Sequence, residues 1–547
     1  MMAPPSKGSL LLKKTALSLV MTLLVLGTLE GGLRLIHFQY EPRQKLLWKP
    51  TVAGFVGTQE FYIQTEFAPP GYIWVSQPNT PYTDRYGFRR PELPYQKTPG
   101  HYRIAFLGGS TTQGGYRPYP ERVARLLNSV AGEPRYEALN VGCSSYSTHQ
   151  SLIALDRWVL PRKPDLVVVY HGWNDQLVQS DGYSDHEKDA LMETAGTGQD
   201  GTSWVRRLYI ARLAGRLGAW ADRSWPRPRV PLARFEANLG AIATKCAEAG
   251  VPLRIVVRPE SRAYPLPPYE TQALAYYERI YHTTHTPDLY QAIHAGYSAA
   301  QRRVAESVPG AAAYDAWATV NRLQERKESG EFGPDVDIWQ SDAIHLKPLG
   351  EELMAQDMAM ALVPELKPAL EAYVKSAGYW MGLAQEFLRE DLPFEAAYSA
   401  RRAAEADPAQ KEAADALRIQ AESLFEFARL FEDGRWGGRD NDFESKLRKL
   451  GRCLQIRPSD SGVLTQIFRV CLYSGKPERA ADLMKAFQPA NAQDQYEWLN
   501  MMLHSLLAGQ RIGEAGPVAG QLLKMNPQHP QARQVLQYLQ THPAGRP

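Results

Sequence analysis

The sequence predicts an α/β domain built on a three-layer, doubly wound parallel sheet, with an apolar helix before it and an all-α region after it. Three observations carry that reading. Short apolar runs without polar–apolar alternation recur between residues 103 and 314, with helical stretches between them. Strands of that kind are buried on both faces, as in parallel sheets covered by crossover helices, and crossovers of one hand distribute those helices over both faces. Beyond about residue 370 such runs stop and a weak helix–turn–helix period takes over. Near the N-terminus, Thr15 to Leu29 is fifteen residues without a charge.

The first element is this apolar run. Lys13 and Lys14 precede it, and apolar character resumes past Glu30 as Leu33–Ile36. The span 15–36 is near the lower length for crossing about 30 Å of hydrocarbon at about 1.5 Å per residue. It reads as a transmembrane anchor, because Gly27-Thr28-Leu29-Glu30 offers no small-residue cleavage site. A cleaved signal peptide and a buried core helix are the alternatives. Lys7, Lys13 and Lys14 assign residues 1–14 to the cytoplasm and the remainder to the other side. In a bacterium that side is the periplasm, where Cys453 and Cys471 could pair. Residues 37–100 read as an extended linker and lead-in, with turns at Pro78–Pro81 and Pro91–Pro94.

Region 101–365 holds the sheet. Strands are expected at Arg103–Leu107, Tyr136–Val141, Leu166–Tyr170, Leu253–Val257 and Ala311–Tyr314. Helices are expected near 119–130, 149–159, 233–249, 289–307 and 348–362. Gln179–Pro228 and Ser261–Pro287 break the rhythm as insertions that could shape or cover a pocket. In region 370–547, Trp380 and Trp498 each lie eleven residues before a turn position, and Pro458 and Pro527 are 69 residues apart, close to two 34-residue units. That pattern resembles a degenerate tetratricopeptide array, interrupted by a loop at Gly434–Asn441, with a plain helical bundle as the alternative.

Composition removes several function classes. The chain has 547 residues, 44% hydrophobic and 22% charged, which is ordinary for a globular protein. A net charge of +3 lacks the basic excess of a nucleic-acid binder. Four cysteines, none at zinc-site spacing, make neither a disulfide scaffold nor a metal centre. No cofactor or metal is expected.

Four segments carry chemistry. Gly108-Gly109-Ser110 follows the first strand of the sheet, Asn140-Val141-Gly142 the second, and Gly172-Trp173-Asn174-Asp175 the third; Asp342-Ala343-Ile344-His345 precedes the last helix of the region. Alone, each is compatible with a turn or helix cap. Ligands of open α/β sheets bind at the carboxyl ends of the strands, where the first three lie.

Taken together, the ordered Ser, Gly, Asn and Asp-x-x-His resemble the SGNH (GDSL-like) hydrolase family over about residues 101–365. The first block departs from the family's common Gly-Asp-Ser, having Gly109 before Ser110. Tyr86-Gly87-Phe88-Arg89 is similar to a segment ahead of the catalytic domain in membrane-anchored bacterial members. The resemblance implies that Ser110 is the nucleophile, His345 its base and Asp342 the group that fixes the imidazole. It further implies an oxyanion hole from the Ser110 and Gly142 N–H groups and the Asn174 amide. Asp175 is expected to brace its loop. Trp173, His171, Arg258 and Glu260 are candidate pocket residues, with a structural role the favoured alternative for each.

The expected activity is a membrane-anchored, extracytoplasmic serine esterase removing O-acetyl or other short acyl groups from a glycan or lipid. An O-acyltransferase using the same triad is the second reading. Alginate-type acetyltransferases of the superfamily place Asp-x-His ahead of the serine, whereas Asp342 and His345 follow Ser110, which favours hydrolysis. The third reading is an envelope scaffold whose helical repeats recruit a protein partner.

Overall fold

The computed structural model describes residues 7–35, 62–63, 73–76, 78–80, 82–115, 117–177, 184–196, 209–210, 213, 228–259, 287–340, 344–436 and 443–541. The N-terminal helix, Lys7–Leu35, contains Thr15–Leu35, whose 1.8 mean hydropathy and 21 residues fit a membrane anchor or a signal sequence. Tyr62–Ile63 (β1) and Val75–Ser76 (β2) form a small antiparallel pair.

The main sheet has five parallel strands: β3 (Tyr102–Gly108), β4 (Tyr136–Asn140), β5 (Leu166–Tyr170), β6 (Leu253–Val257) and β7 (Ala311–Asp315), in the order β4-β3-β5-β6-β7. Apolar residues on both faces explain why none of these strands alternates in sequence. Ile104, Phe106, Leu166, Val168 and Val256 enter one core, under helices Tyr119–Ala131, Ala316–Glu328 and Pro348–Leu362. Ala105, Leu107, Val167, Val169, Leu253 and Ile255 enter the other, under Thr148–Ala154, Leu232–Glu248 and Pro287–Ser307. Helix Tyr119–Ala131 starts with proline in its first turn and stops at Gly132, whose φ of 77° is left-handed.

Most expected elements are present within a residue or two, with three differences. The stretch 149–159 is an α-helix only to Ala154 and continues as a π-helical turn, Leu155–Val159. Helices Asp185–Gly196 and Ala316–Glu328 were not among the expected helices. The described part of the 37–100 lead-in packs into the domain rather than running free of it: Ile73, Val75 and Phe88 are buried. The fully buried Arg103 of β3 ties that segment down, donating to the carbonyls of Pro94 and Tyr95 and, through Nε, to Glu137 Oε2 at 2.8 Å. Residues 260–286 of the second expected insertion lie outside the described residues, as do most of the first insertion and part of the 434–441 loop.

The C-terminal region is helical from Lys367 to Thr541 among its described residues. Its first helices share a core with the sheet domain, through Trp380, Leu383, Phe387, Phe394 and Tyr398. Later helices gather around a second core that includes Leu450, Leu464, Phe468, Leu503 and Leu522. Cys453 and Cys471 are buried in this second core as separate thiols, pushed up to about 12 by burial.

Candidate active site

The strand order reverses between β3 and β5, and the chain segments that follow these two strands meet at that switch point. Ser110 opens the short helix Ser110–Gln113 directly after β3, and Asn174 lies in the helical turn Trp173–Gln176 after β5. His345 arrives from the far end of the domain. Its loop is pinned at the base by Gln340 N–H donating to the His345 carbonyl (2.8 Å) and Lys347 N–H to that of Ile338 (2.9 Å). The result is a 2.8 Å hydrogen bond between Ser110 Oγ and His345 Nε2, across 235 residues of sequence. Ser110, Asn174 and His345 are each half-exposed between a buried residue on the preceding side and, for the latter two, on the following side. Asp342 lies outside the described residues.

Close backbone approach explains two glycines. A Cβ on Gly142 would lie 2.6 Å from Gln113 N and 2.9 Å from Thr112 C, so only glycine lets the turn after β4 press against the Ser110 helix. A Cβ on Gly109 would meet the Asn174 Nδ2 atom at 2.5 Å. Gly109 thus lies directly against the Asn174 amide and near the Tyr146 carbonyl, 3.1 Å from the same Cβ position. Asn174 Nδ2 also donates to the Tyr146 carbonyl at 2.9 Å, which fixes the amide beside Ser110 and leaves its second proton for another acceptor.

The Gly142 N–H differs from its expected role. It donates to Asn140 Oδ1 at 3.0 Å, while Asn140 Nδ2 donates to the Thr112 carbonyl at 2.8 Å. An incoming oxyanion would share or displace that bond. Residues behind the turn also escaped the sequence reading. Gln113 receives Ser144 N–H on Oε1 and donates to Ser76 Oγ, each at 2.7 Å, and so fastens β2 to the turns that carry Ser110 and Gly142. Polar residues beside the blocks were their only sequence signal.

The three described pocket candidates take the structural alternative. His171, Trp173 and Arg258 are 3%, 5% and 0% exposed, so they back the site rather than line it. His171 Nε2 is 2.6 Å from Ser151 Oγ, and burial and then Arg229 hold its imidazole at about 3, in the neutral form. Arg258 stacks its guanidinium 5.0 Å over the Trp173 ring and donates to Gln176 Oε1 at 2.6 Å. Glu260 lies outside the described residues. Asp175 accepts from Thr148 N (2.8 Å), Thr148 Oγ1 (2.6 Å) and Gly172 N (3.1 Å), which braces the Asn174 turn. Among the described residues, no three His, Cys, Asp or Glu side chains gather as a metal site requires.

Residues 106–353 match the model of the GDSL-like Lipase/Acylhydrolase family. No curated protein matches the chain. Among solved structures, it is similar to an alpha/beta hydrolase enzyme from the metagenome of Lake Arreo, Spain, at 16% identity and a TM-score of 0.31, covering 49% of this chain and 97% of that one. It is similar to the lipase/acylhydrolase from Enterococcus faecalis at 16% identity, TM-score 0.30, covering 49% and 96%. An acetylxylan esterase from Geobacillus stearothermophilus aligns at 16% identity, TM-score 0.30, over 47% and 92%. The family match and the five-stranded parallel architecture together identify a GDSL-like SGNH hydrolase domain within this chain, of the class of hydrolases acting on ester bonds.

Proposed function

We propose that this domain is a serine esterase that removes O-acetyl or other short acyl groups from a glycan or lipid, held at a membrane by its N-terminal helix. The observation that carries the reading is the 2.8 Å contact between Ser110 Oγ and His345 Nε2. A serine hydroxyl attacks an ester only when a base takes its proton. His345 removes that proton as Oγ bonds to the carbonyl carbon, and returns it to the departing alcohol when the ester bond breaks. Water then attacks the acyl-serine, with the same histidine first accepting and then returning a proton. Asp342, three residues before His345, has the chemistry to fix the imidazole tautomer and stabilise its charged form.

The charge that develops on the ester oxygen needs donors beside Ser110. Asn174 Nδ2 has a proton to give, and the Ser110 N–H lies in the first helical turn, where backbone donors have no intrahelical acceptor. Gly142 is the weaker third donor because Asn140 competes for its proton. Asn174→Ala is expected to lower kcat ~100- to 1000-fold.

Placement of Asp342 and His345 after Ser110 supports hydrolysis over acyl transfer to a second sugar. Lys7, Lys13 and Lys14 before the apolar run support a cytoplasmic N-terminus and a periplasmic catalytic domain. Successive helix pairs such as Ala377–Arg389 with Pro393–Ala406 support a tetratricopeptide-like array that presents a surface to a protein partner.

Fluorophosphonate labelling of the detergent-solubilised chain tests the reading. An adduct mapped to Ser110, lost in Ser110→Ala and strongly reduced in His345→Ala, is expected. A folded protein that forms no such adduct would overturn it.

A further inference from the structure

The turn that carries Asn174 is held from behind as well as from the Ser110 side. Registered pairing between β5 and β6 ends at Val169 with Ile255, before either strand ends. Past that point Gln301 of helix Pro287–Ser307 bridges the two chains. Its Nε2 donates to the carbonyls of His171 and Val256, each at 2.9 Å, and its Oε1 accepts the Arg258 N–H at 3.3 Å. Gln301 is wholly buried, and both protons of its amide are used. Arg258, the residue after β6, is thereby fixed at its backbone near the chain leaving β5. Its side chain then crosses to the turn 172–176. The guanidinium lies 5.0 Å over the Trp173 ring and 5.6 Å over that of Tyr297, and Nη2 donates to Gln176 Oε1 at 2.6 Å and to the His294 carbonyl at 3.2 Å. The side chain also abuts Gly172, where a Cβ would lie 2.8 Å from Arg258 Cδ and 3.0 Å from Nε. One side chain therefore meets the turn both before and after Asn174.

We propose that Arg258 is a positioning residue for the esterase reaction: its guanidinium clamps the turn 172–176 and so sets where the Asn174 amide stands beside Ser110. The inference rests on the reading of Ser110 as nucleophile and Asn174 as oxyanion donor. Such a donor is effective when it is aimed before the charge appears. The 2.9 Å bond from Asn174 Nδ2 to the Tyr146 carbonyl fixes the end of the side chain. The turn beneath it is fixed on one side by Asp175, which ties Gly172 N to Thr148, and on the other by Arg258. Withdrawing a guanidinium from water is costly, and an apolar side chain would fill the same volume without that cost. What arginine adds is a planar fork that stacks on Trp173 and bonds Gln176 in one fixed geometry. Reacting groups misplaced by ~1 Å can lose ~100-fold in rate, so a tilt of this turn reaches the chemistry although Arg258 does not.

The test is a double-mutant cycle on the rate at which a fluorophosphonate modifies Ser110 in the full-length, detergent-solubilised protein. The phosphoryl oxygen of the probe takes the place of the ester oxygen, so its reaction draws on the same donors. Arg258→Lys keeps the charge but loses the fork and the stack, and is expected to slow labelling ~10-fold. In an Asn174→Ala background the same change is expected to alter the rate by less than about twofold, because the donor it aims is gone. Gln176→Leu removes the acceptor alone. It is expected to show the same pattern with a smaller loss, and decides alone if Arg258→Lys does not fold. A folded variant that labels at the wild-type rate overturns the inference. So does an equal loss in both backgrounds, which is what a general loosening of the fold would give. Either result leaves Ser110 and His345 in their roles. Asn174→Ala labelling as fast as wild type overturns the donor and this inference with it. A wild-type protein with no Ser110 adduct overturns the esterase reading itself, and is a distinct result.

Discussion

The two halves of the C-terminal helical region look alike in sequence and differ in what they are attached to. The helices of 377–406 bury Trp380, Leu383, Phe387 and Tyr398 in the same core as Leu349, Leu353 and Met354, which lie under the sheet. The helices of 443–541 bury their apolar faces mainly against one another. Helix Phe425–Trp436 is the hinge between them: Phe427 joins the distal core and Ala428 the proximal one. Charge follows the same division. Glu352 of the catalytic domain is wholly buried and accepts from Arg122, Arg125 and the hydroxyl of Tyr379, a residue of the helical region. Glu386 reaches back to Arg117 at 2.7 Å, in the loop after the Ser110 helix. The helical region after the sheet domain is thus not one appendage. Its proximal half is part of the catalytic unit, and only the distal half is a separable module.

That division can be broken by experiment, and the largest effect belongs to truncation. A chain ending at residue 366 exposes the proximal core and is expected to be insoluble or unreactive toward fluorophosphonate, whereas one ending at 442 keeps wild-type labelling. Full labelling of the shorter chain would erase the distinction. Single cavities sharpen it. Phe387→Ala, at ~3–5 kcal/mol, and Leu503→Ala, at ~2–5 kcal/mol, are each severe. Calorimetry should show the first lowering the transition in which Ser110 reactivity is lost, and the second lowering only another transition.

The buried ion cluster comes next. Glu352→Gln leaves Arg122 and Arg125 facing a neutral amide, a loss comparable to breaking a buried pair, about 3 kcal/mol or more. Burial alone would raise the Glu352 carboxyl, but Arg125 and Arg122 outweigh it and hold it at about 2. Its folded value lies below its unfolded one, so its contribution is complete above about pH 4.5 and disappears as pH falls toward 2. Acid titration of Tm should show that component in wild type and not in Glu352→Gln. The smallest effect is expected at Arg429, whose exposed pair with Asp335 (2.7 Å) also crosses the junction. Arg429→Ala should cost no more than about 1 kcal/mol, and less in high salt.

The sequence made the sheet legible because apolar strands without alternation have one sensible environment. Leu166–Tyr170 and Leu253–Val257 are strands over the residues expected. Ser110, Asn174 and His345 were legible because each stands at an element boundary, where a side chain can turn outward. What failed is what depends on the far side of a contact. His171 and Trp173 precede Asn174 closely in sequence, and a structural role was the favoured reading for both, but the partners that receive them, Ser151 and Arg258, were out of reach. Asn140 looked like the end of a strand, although its side-chain oxygen accepts a hydrogen bond from the Gly142 N–H. Glu352 carried no sequence signal, because its burial and its pairing with Arg122 depend on a helix more than 200 residues earlier. The shared proximal core was hidden for the same reason: helical periodicity reports that a face is buried, not against what.

The buried pair Asp185–Arg229 has a consequence of another kind. Arg229 grips both carboxylate oxygens of Asp185, at 3.1 and 2.7 Å, and donates to the Ser145 carbonyl, while Ser147 Oγ donates to Asp185 as well. Arg229 N–H meets the Leu177 carbonyl at 2.7 Å, and Asp185 N–H meets that of Arg229 at 2.8 Å. The outgoing and returning chains of the first insertion are therefore buckled together at its root, beside the Asn174 turn. A loop whose ends are already fastened gains length cheaply, at about 0.6 kcal/mol for each doubling. A chimera that keeps Asp185, Arg229 and the helix Asp185–Gly196 is therefore expected to accept added length after residue 196 with fluorophosphonate labelling of Ser110 unchanged.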